Sequence, residues 1–399
     1  MHLVHRTLGT EWEAGRTAAL ATVVRTFDSA PRPPGAQMLV TENGAVVGSV
    51  SGGCVEGAVY EQALACVAGS GAVLERFGVS DGDALAAGLT CGGTMEIFIE
   101  ALPPRQSAVL GPAHAAIGAG LGTGIATVIE HPDPELLGRK LAVLPEMVLG
   151  SLGSPRADQA AADDAMGLIA AGRSSVLTYG PDGERLGTGM SVFVSAFSPP
   201  PRLLVFGAVD FASALSRLGA FLGYQVTVCD ARPVFATERR FPDAAQVVAA
   251  WPHVYYQEQL EAGLIDARCV VCVLTHDPKF DVPLLAAVLG GPAVAYVGAM
   301  GSRRTHRDRL QRLAQAGLSA EELAVLHSPI GLDLGARTPE ETAVSIAAEF
   351  IGKAWGGSGI PLRLLHERIH HEERPFTARM DQQLPPAPVQ TPDRHTGLR

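Results

Sequence analysis

A glycine turn that carries a cysteine is the strongest candidate for reactive chemistry in this chain. The turn lies in Gly48-Ser49-Val50-Ser51-Gly52-Gly53-Cys54-Val55-Glu56, a pattern that predicts a strand end and then a helix from Val55 to about Val67. A thiol at a helix start lies near unpaired N–H groups, which favour the thiolate. Gly52 and Gly53 would let a phosphate or other anion approach the same donors. We therefore expect Ser51, Gly52, Gly53, Cys54 and Glu56 to bind a phosphorylated, sulfur-bearing or metal-bearing ligand; the alternative is a small residue that fits a tight corner.

A second cysteine loop occurs in the same part of the chain. Cys91 lies in Leu89-Thr90-Cys91-Gly92-Gly93-Thr94, just before an alternating strand at Met95 to Ile99. Cys54 and Cys91 are therefore the candidate catalytic residues, with Gly92 and Gly93 beside the ligand. The two cysteines could form a resolving pair, ligate one soft metal, or be unrelated turn residues. Neither has a cysteine partner two to four residues away, so the spacing fits no zinc site.

An internal repeat distinguishes the two halves of the amino-terminal part. The matched segments are Ala18–Val24 with Gly124–Ile129, Val47–Val50 with Leu149–Leu152, and Met95–Ile99 with Met190–Val194. Both copies close on a proline pair, and the alignment places Arg156 opposite Cys54 and Leu186 opposite Cys91. We predict two related α+β units, the first a working unit and the second a scaffold or pseudo-symmetric partner.

Composition limits the class of protein. The 399 residues are 47% hydrophobic, enough for several packed cores, and the net charge of -10 argues against a nucleic-acid or membrane surface. The amino terminus lacks the apolar run of a signal peptide, and no stretch approaches a membrane span. Six cysteines without framework spacing favour a reducing cytoplasm. Cys269 and Cys272 form a CxxC pattern inside an apolar strand, so we expect them to point to opposite faces as core residues.

Strands and helices alternate after the proline run at Pro199 to Pro201, which predicts a parallel sheet covered by helices on both faces. The predicted strands are 203–206, 225–229, 269–274, 293–297 and 323–326, and the predicted helices are 211–221, 282–289, 303–316 and 339–353. Thr338, Pro339 and Glu341 have the types expected at a capped helix start. The fold class is therefore α/β, with a Rossmann-like carboxyl-terminal domain and two α+β copies before it. The predicted domains span 1–104, 105–200 and 201–356, with a tail from 357 that is largely disordered from about 375.

A degenerate dinucleotide turn follows the first of these strands. Gly207-Ala208-Val209-Asp210 keeps the first glycine but has valine where backbone must approach a pyrophosphate, and Asp210 adds a negative charge there. Asp230, which ends the second strand, occupies the position of a ribose-binding acid. NAD(P) binding at Gly207 and Asp230 is therefore weakened, and the alternative is that the turn is kept for structure alone.

Two further candidates follow later strands. Ser302, Arg303 and Arg304 lie at the start of a helix, where glycines, a hydroxyl and arginines could cradle a phosphate; the alternative is a solvated basic face. His276 follows another strand and could act as an acid or base, or cap the loop. The HExxH pattern at His366 to His370 resembles a zinc-protease motif, but only a Pro/Gln-rich tail follows it to supply a third ligand, so we do not expect zinc there.

These long motifs together resemble the XdhC/CoxI family, the accessory proteins of xanthine dehydrogenase and carbon monoxide dehydrogenase. The resemblance covers about residues 10 to 353. The motifs that carry it are those around Cys54 and Cys91, Thr275-His276-Asp277, Val297 to Thr305, and Ser328 to Glu341. The family commonly has Gly-Ala-Gly-His where this chain has Gly207-Ala208-Val209-Asp210.

The resemblance implies a protein that binds molybdenum cofactor (molybdopterin), supports its sulfuration and delivers it to a molybdo-hydroxylase. It implies a cofactor-loading chaperone rather than a turnover enzyme, with the apoenzyme as partner and a cysteine desulfurase and a second copy of the chain as further candidates. Cys54 could ligate molybdenum, which prefers soft sulfur ligands, or carry a sulfur. The alternative function is an NAD(P)-dependent oxidoreductase related to xanthine dehydrogenase.

Overall fold

Three β-sheets organise the part of the chain that the computed structural model describes, residues 2–27, 30–78 and 93–365. The first copy contains α1 (His2–Glu13), β1 (Ala18–Phe27), β2 (Gln37–Thr41), β3 (Val46–Gly48), α2 (Glu56–Val67), β4 (Val73–Phe77) and β5 (Thr94–Leu102). The second contains α3 (Ser107–Gly118), β6 (Thr123–Glu130), β7 (Lys140–Val143), β8 (Val148–Gly150), α4 (Pro155–Ala171), β9 (Ser175–Tyr179) and β10 (Met190–Phe197).

The two copies share one topology. Their antiparallel sheets have the orders β3-β2-β1-β5-β4 and β8-β7-β6-β10-β9, which correspond strand for strand. Gly48 and Gly150 match in detail, with φ of 88° and 89°. A Cβ at either would lie 2.3 Å from a backbone oxygen, of Gln37 and Lys140 respectively, so each turn needs glycine. The expectation of two related α+β copies is confirmed.

The sheets of the two copies pack against each other, while α2 and α4 cover their outer faces. Successive side chains of β1 point to opposite faces of the sheet, which produces this arrangement. Ala19 and Ala21 face the α2 side, and Ala18 and Leu20 join a cluster shared with the second copy. A buried ion pair crosses the interface, with Lys140 Nζ 2.5 Å from Glu100 Oε1. Burial raises the pKa of Glu100 despite this attraction. The amino-terminal copies therefore form one packed body with a polar pair inside it.

The carboxyl-terminal region is a parallel sheet in the order β13-β12-β11-β14-β15-β16. Its elements are β11 (Arg202–Phe206), α5 (Asp210–Phe221), β12 (Gln225–Asp230), β13 (Gln246–Ala249), α6 (Pro252–Glu261), β14 (Val270–Val273), α7 (Pro278–Leu289), β15 (Tyr296–Ala299), α8 (Arg303–Gln315), α9 (Ala320–Ala324), β16 (Leu326–His327) and α10 (Pro339–Trp355). Separate hydrophobic clusters cover its two faces. The Rossmann-like prediction is confirmed, as are the cap at Thr338 and its capping box with Glu341.

Several element boundaries differ from the sequence prediction. The prediction missed β13 and α6. It placed a strand at 323–326, whereas α9 occupies Ala320–Ala324 because a capping box between Ser319 and Glu322 starts a helix there. The strand expected at 293–297 is β15, which extends through Gly298, where a side chain would collide with Ile330. Over the same described residues, no helix has both the length and the hydropathy needed to cross a bilayer.

Candidate functional site

The Cys54 turn is held together by a carboxylate. Glu56, the first residue of α2, accepts hydrogen bonds from the backbone N–H groups of Ser51, Gly52 and Gly53 at 2.9, 2.8 and 2.8 Å. It also accepts hydrogen bonds from the Ser49 hydroxyl, at 2.7 Å, and from the Ser51 hydroxyl. Positive φ values at the two glycines, 81° and 130°, aim these donors inward. The turn is therefore a preformed nest that binds a carboxylate of its own chain.

This arrangement changes the anion site expected from the sequence. We expected the glycine N–H groups to receive an external phosphate, but the Gly52 and Gly53 donors are engaged by Glu56. Burial opposes ionisation of Glu56, yet the Ser51 and Ser49 hydroxyls and the backbone donors outweigh it and lower its pKa from 4.5 to about 2. Glu56 is therefore an internal anion that fixes the loop preceding Cys54.

Cys54 is half-buried and packs against the core of the first copy. The corresponding turn of the second copy has no cysteine, and its side chains cap a helix. Ser154 caps α4, Asp158 accepts the Leu152 N–H at 2.6 Å, and Arg156 is exposed and pairs with Glu184. Leu186, the counterpart of Cys91, is fully exposed. The cysteine is thus specific to the first copy, on a turn with a more extensive hydrogen-bond network.

The second predicted cysteine loop falls only partly within the structure. Cys91 and Gly92 lie outside the described residues, as do the HExxH pattern and the tail after it. Gly93 is buried directly before β5. Among the described residues there is no cluster of three or more His, Cys, Asp or Glu side chains that could hold a metal ion. Metal binding at Cys54 remains a prediction.

Burial separates Cys54 from the other described cysteines. Cys269 and Cys272 are 1% and 0% exposed and lie in clusters on opposite faces of the parallel sheet, as expected for core residues. Burial raises the pKa of Cys229 and of Cys269 to about 12, and raises that of Cys272 further.

We expect iodoacetamide to modify Cys54 at least tenfold faster than Cys229, Cys269 or Cys272 in the native protein, because alkylation requires an accessible thiolate. Peptide mass spectrometry over a time course would measure each rate. Reaction in denaturant serves as the control and should equalise the sites. Equal native rates at Cys54 and Cys272 would contradict this prediction.

The Rossmann turn is closed by Asp230. The carboxylate is buried and accepts the Ala208 N–H at 2.8 Å, the Arg232 N–H at 2.9 Å, and the Arg232 Nε and Nη2 at 2.9 and 2.8 Å. Burial opposes its ionisation, but these donors lower its pKa. Four donors fill the acceptor positions of a carboxylate. Asp230 therefore ties the Gly207 turn to the loop after β12, a structural task that the sequence did not indicate.

A buried ion pair supports the carboxyl edge of the same sheet. Arg309 Nη2 lies 2.9 Å from Asp281 Oδ2, and Thr275 donates its hydroxyl to the same carboxyl group. Arg309 also donates to Met300 O and to Ser328 Oγ, both at 2.9 Å. Thr275, Met300 and Ser328 follow three adjacent strands, β14, β15 and β16. The pair therefore positions three loops at the sheet edge where ligands bind in such folds.

Sequence reasoning missed Asp281 and Arg309. The available signal was a charged residue at a core position of a helix: Arg309 precedes the buried Leu313 by four residues, on the same helix face. Burial raises the pKa of Asp281 to about 6 even though Arg309 opposes this.

The second predicted anion site is open to solvent. Ser302 caps α8 by accepting the Thr305 N–H at 3.1 Å, and the side chains of Arg303 and Arg304 are exposed. His276 is also exposed, in the loop between β14 and α7. Gly207, His276 and Ser302 follow the parallel strands β11, β14 and β15, so they lie at the same edge of the sheet. Glu56 belongs to the first copy, and its hydrogen bonds stay within its own turn. Ligand binding at Ser302 to Arg304 remains a prediction.

Comparisons with known proteins match nearly all of this architecture. The model described as the XdhC Rossmann domain matches residues 203–350, and the model of the XdhC and CoxI family matches residues 11–78 and 116–180, one segment in each copy. A molybdenum cofactor insertion chaperone, PaoD, of Escherichia coli is 29% identical over 84% of this chain and 83% of its own length. A Bacillus subtilis protein described as a probable subunit of xanthine dehydrogenase is 28% identical over 87% of this chain and 96% of its own length.

A solved structure has the same overall fold. A crystal structure described as a xanthine dehydrogenase from Bacillus halodurans superposes with a TM-score of 0.61 and 25% identity. The match covers 88% of this chain and 95% of that one. The family models match both amino-terminal copies and the parallel sheet, and this chain belongs to the XdhC and CoxI family.

Proposed function

We propose that this protein binds molybdenum cofactor as cargo during its maturation and delivers it to a xanthine dehydrogenase-type molybdo-hydroxylase in the cytoplasm. The observation that carries the proposal is the half-buried Cys54 on a turn locked by Glu56, in a chain similar to a protein named as a molybdenum cofactor insertion chaperone. A fixed loop presents one thiol in one orientation, which suits the capture and release of a cargo.

The chemistry of the donor set fits this cargo. Molybdenum in a dithiolene cofactor prefers soft sulfur ligands, and Cys54 would supply one. The neighbouring glycine turn is uncrowded, since a Cβ at Gly52 or Gly53 would have no heavy-atom neighbour within 4 Å. Glu56 has no such role, because its carboxylate is used by the turn. An NAD(P)-dependent oxidoreductase is the weaker alternative, since Asp230 is committed to Arg232 and Ala208.

Replacement of Cys54 tests the proposal. The protein is isolated from cells that make the cofactor, and bound molybdenum and pterin are measured by elemental analysis and by fluorescence of the oxidised pterin. We expect Cys54→Ala to lose at least about nine-tenths of both relative to wild type, because the loss of even a residue that only supports a metal ligand typically costs about tenfold or more in metal affinity.

Arg156→Ala is the matched control, because Arg156 has the equivalent position in the second copy and is exposed. It should retain the cargo. Circular dichroism would check that both variants keep their fold. Full molybdenum and pterin content in Cys54→Ala would refute the role assigned to this residue.

A further inference from the structure

A large cleft has no residue of either predicted site among its described lining residues. It measures about 1140 Å³ and is lined by all three parts of the chain. The first copy contributes the end of β1 and residues 30–34, the second contributes residues 173–176, and the carboxyl-terminal region contributes the end of α10 and residues 357–365. Ligand pockets occur preferentially at junctions of this kind.

Arginines are concentrated in this cleft, on a protein whose net charge is -10. Arg25, Arg32, Arg76 and Arg173 line it, and no acidic side chain is among its described lining residues. Arg25 is engaged by Glu96 and Glu130 at 2.6 and 2.8 Å, so it joins the two copies. Arg32 and Arg76 are exposed, and neither pairs with a carboxylate within the described part of the chain. These two guanidinium groups remain available for an anion.

Aromatic and apolar surface lies beside these charges. Trp355, at the end of α10, is 60% exposed and lines the cleft. The guanidinium of Arg76 lies 5.1 Å from the centre of the Phe27 ring, which fixes its direction. Ile351 and Ile360 extend the apolar wall. An exposed indole in the same cleft as these arginines offers a stacking surface for a flat ring, and the arginines offer hydrogen-bond donors for a phosphate.

We propose that this cleft binds a ligand in which a flat heteroaromatic ring is joined to a phosphate or pyrophosphate. The ring stacks on Trp355, and Arg32 and Arg76 bind the phosphate groups. The volume exceeds that of ordinary small-molecule pockets, about 300–1,000 Å³, so a ligand with two ring systems would fit.

The inference rests on the proposed function and adds a location to it: the phosphorylated pterin end of the cargo would lie in this cleft rather than at Ser302 to Arg304. Cys54 packs against the hydrophobic cluster of the first copy, and Ala30, which lines the cleft, belongs to the same cluster. The metal end and the phosphate end of one cargo would then be held by different elements.

Titration of the full chain with GDP tests the cleft directly, because GDP joins a two-ring base to a pyrophosphate. Quenching of Trp355 fluorescence would report binding, with Trp355→Phe used to assign the signal. We expect Arg32→Gln and Arg76→Gln each to weaken GDP binding about tenfold or more, the effect of losing a charge-assisted hydrogen bond. Guanosine and inorganic pyrophosphate alone should each bind more weakly than GDP.

Arg217→Gln is the matched control, since it removes an exposed arginine on α5 outside the cleft and should leave binding unchanged. Absence of GDP binding to the wild-type chain would overturn the inference. So would binding that Arg303→Gln abolishes while the cleft variants retain it. Molybdenum and pterin content, measured in the same variants, separates the two proposals: full cargo in Arg32→Gln and Arg76→Gln, with loss in Cys54→Ala, would reject the cleft as the cargo site and leave the proposed function standing.

Discussion

Replacement of Arg309 by methionine is expected to lower the free energy of unfolding of the carboxyl-terminal region by about 3–5 kcal/mol. Arg309 and Asp281 are 3% and 4% exposed at their side chains, so the change leaves a buried carboxyl group without its cation. It also removes the donors to Met300 O and Ser328 Oγ. Urea unfolding followed by tryptophan fluorescence would measure the loss, because Trp251 and Trp355 both lie in this region.

Two further variants make this result interpretable. Arg217→Met removes a solvent-exposed pair with Asp243, 3.8 Å apart, and should change stability by no more than about 0.5 kcal/mol. The double variant Asp281→Leu, Arg309→Met removes both charges and should be more stable than Arg309→Met alone, because no unpaired ion remains. If Arg309→Met proved as mild as Arg217→Met, the pair would not hold the loops at the sheet edge.

The repeat and the parallel sheet were predictable because each depends on local patterns. Gly48 and Gly150 occupy equivalent turns that need a positive φ, so both copies keep glycine and the repeat is visible in the sequence. Strands and helices with many exposed residues were harder to predict, because they lack a clear hydrophobic period of two (strand) or 3.6 residues (helix). The strand β13 has a mixed burial pattern, and α6 buries only a few residues, so neither gave a clear signal.

The candidate site was predictable in its residues but not in its bonding. The sequence indicates glycines, serines and Glu56 near Cys54, yet it does not say that Glu56 folds back onto the N–H groups that a ligand would otherwise use. Asp230 presents the same difficulty. Its carboxylate, which the sequence suggests would bind a ribose, pairs instead with Arg232, only two residues away. Local hydrogen bonds of this kind depend on side-chain direction, which residue spacing alone does not fix.

Glu56→Gln should lower the stability of the first copy by about 2 kcal/mol at pH 7, because an amide nitrogen would face N–H and O–H donors that now meet a charged acceptor. The loss should depend on pH. The pKa of Glu56 is lowered from 4.5 to about 2 on folding, so its contribution is fully present above pH 4.5. It is lost as the pH falls toward 2, and the difference between wild type and variant should shrink over that range. Urea midpoints measured from pH 7 to pH 3 would test this.

Asp158→Asn in the second copy is the matched control, because Asp158 has the equivalent position but accepts the Leu152 N–H as its one backbone donor within the described turn. Its stability loss should be the smaller of the two. If the Glu56 nest also holds Cys54 in place, Glu56→Gln should lose bound molybdenum while Asp158→Asn keeps it. A stability difference between Glu56→Gln and wild type that is as large at pH 3 as at pH 7 would show that the ionised carboxylate is not what fixes the turn.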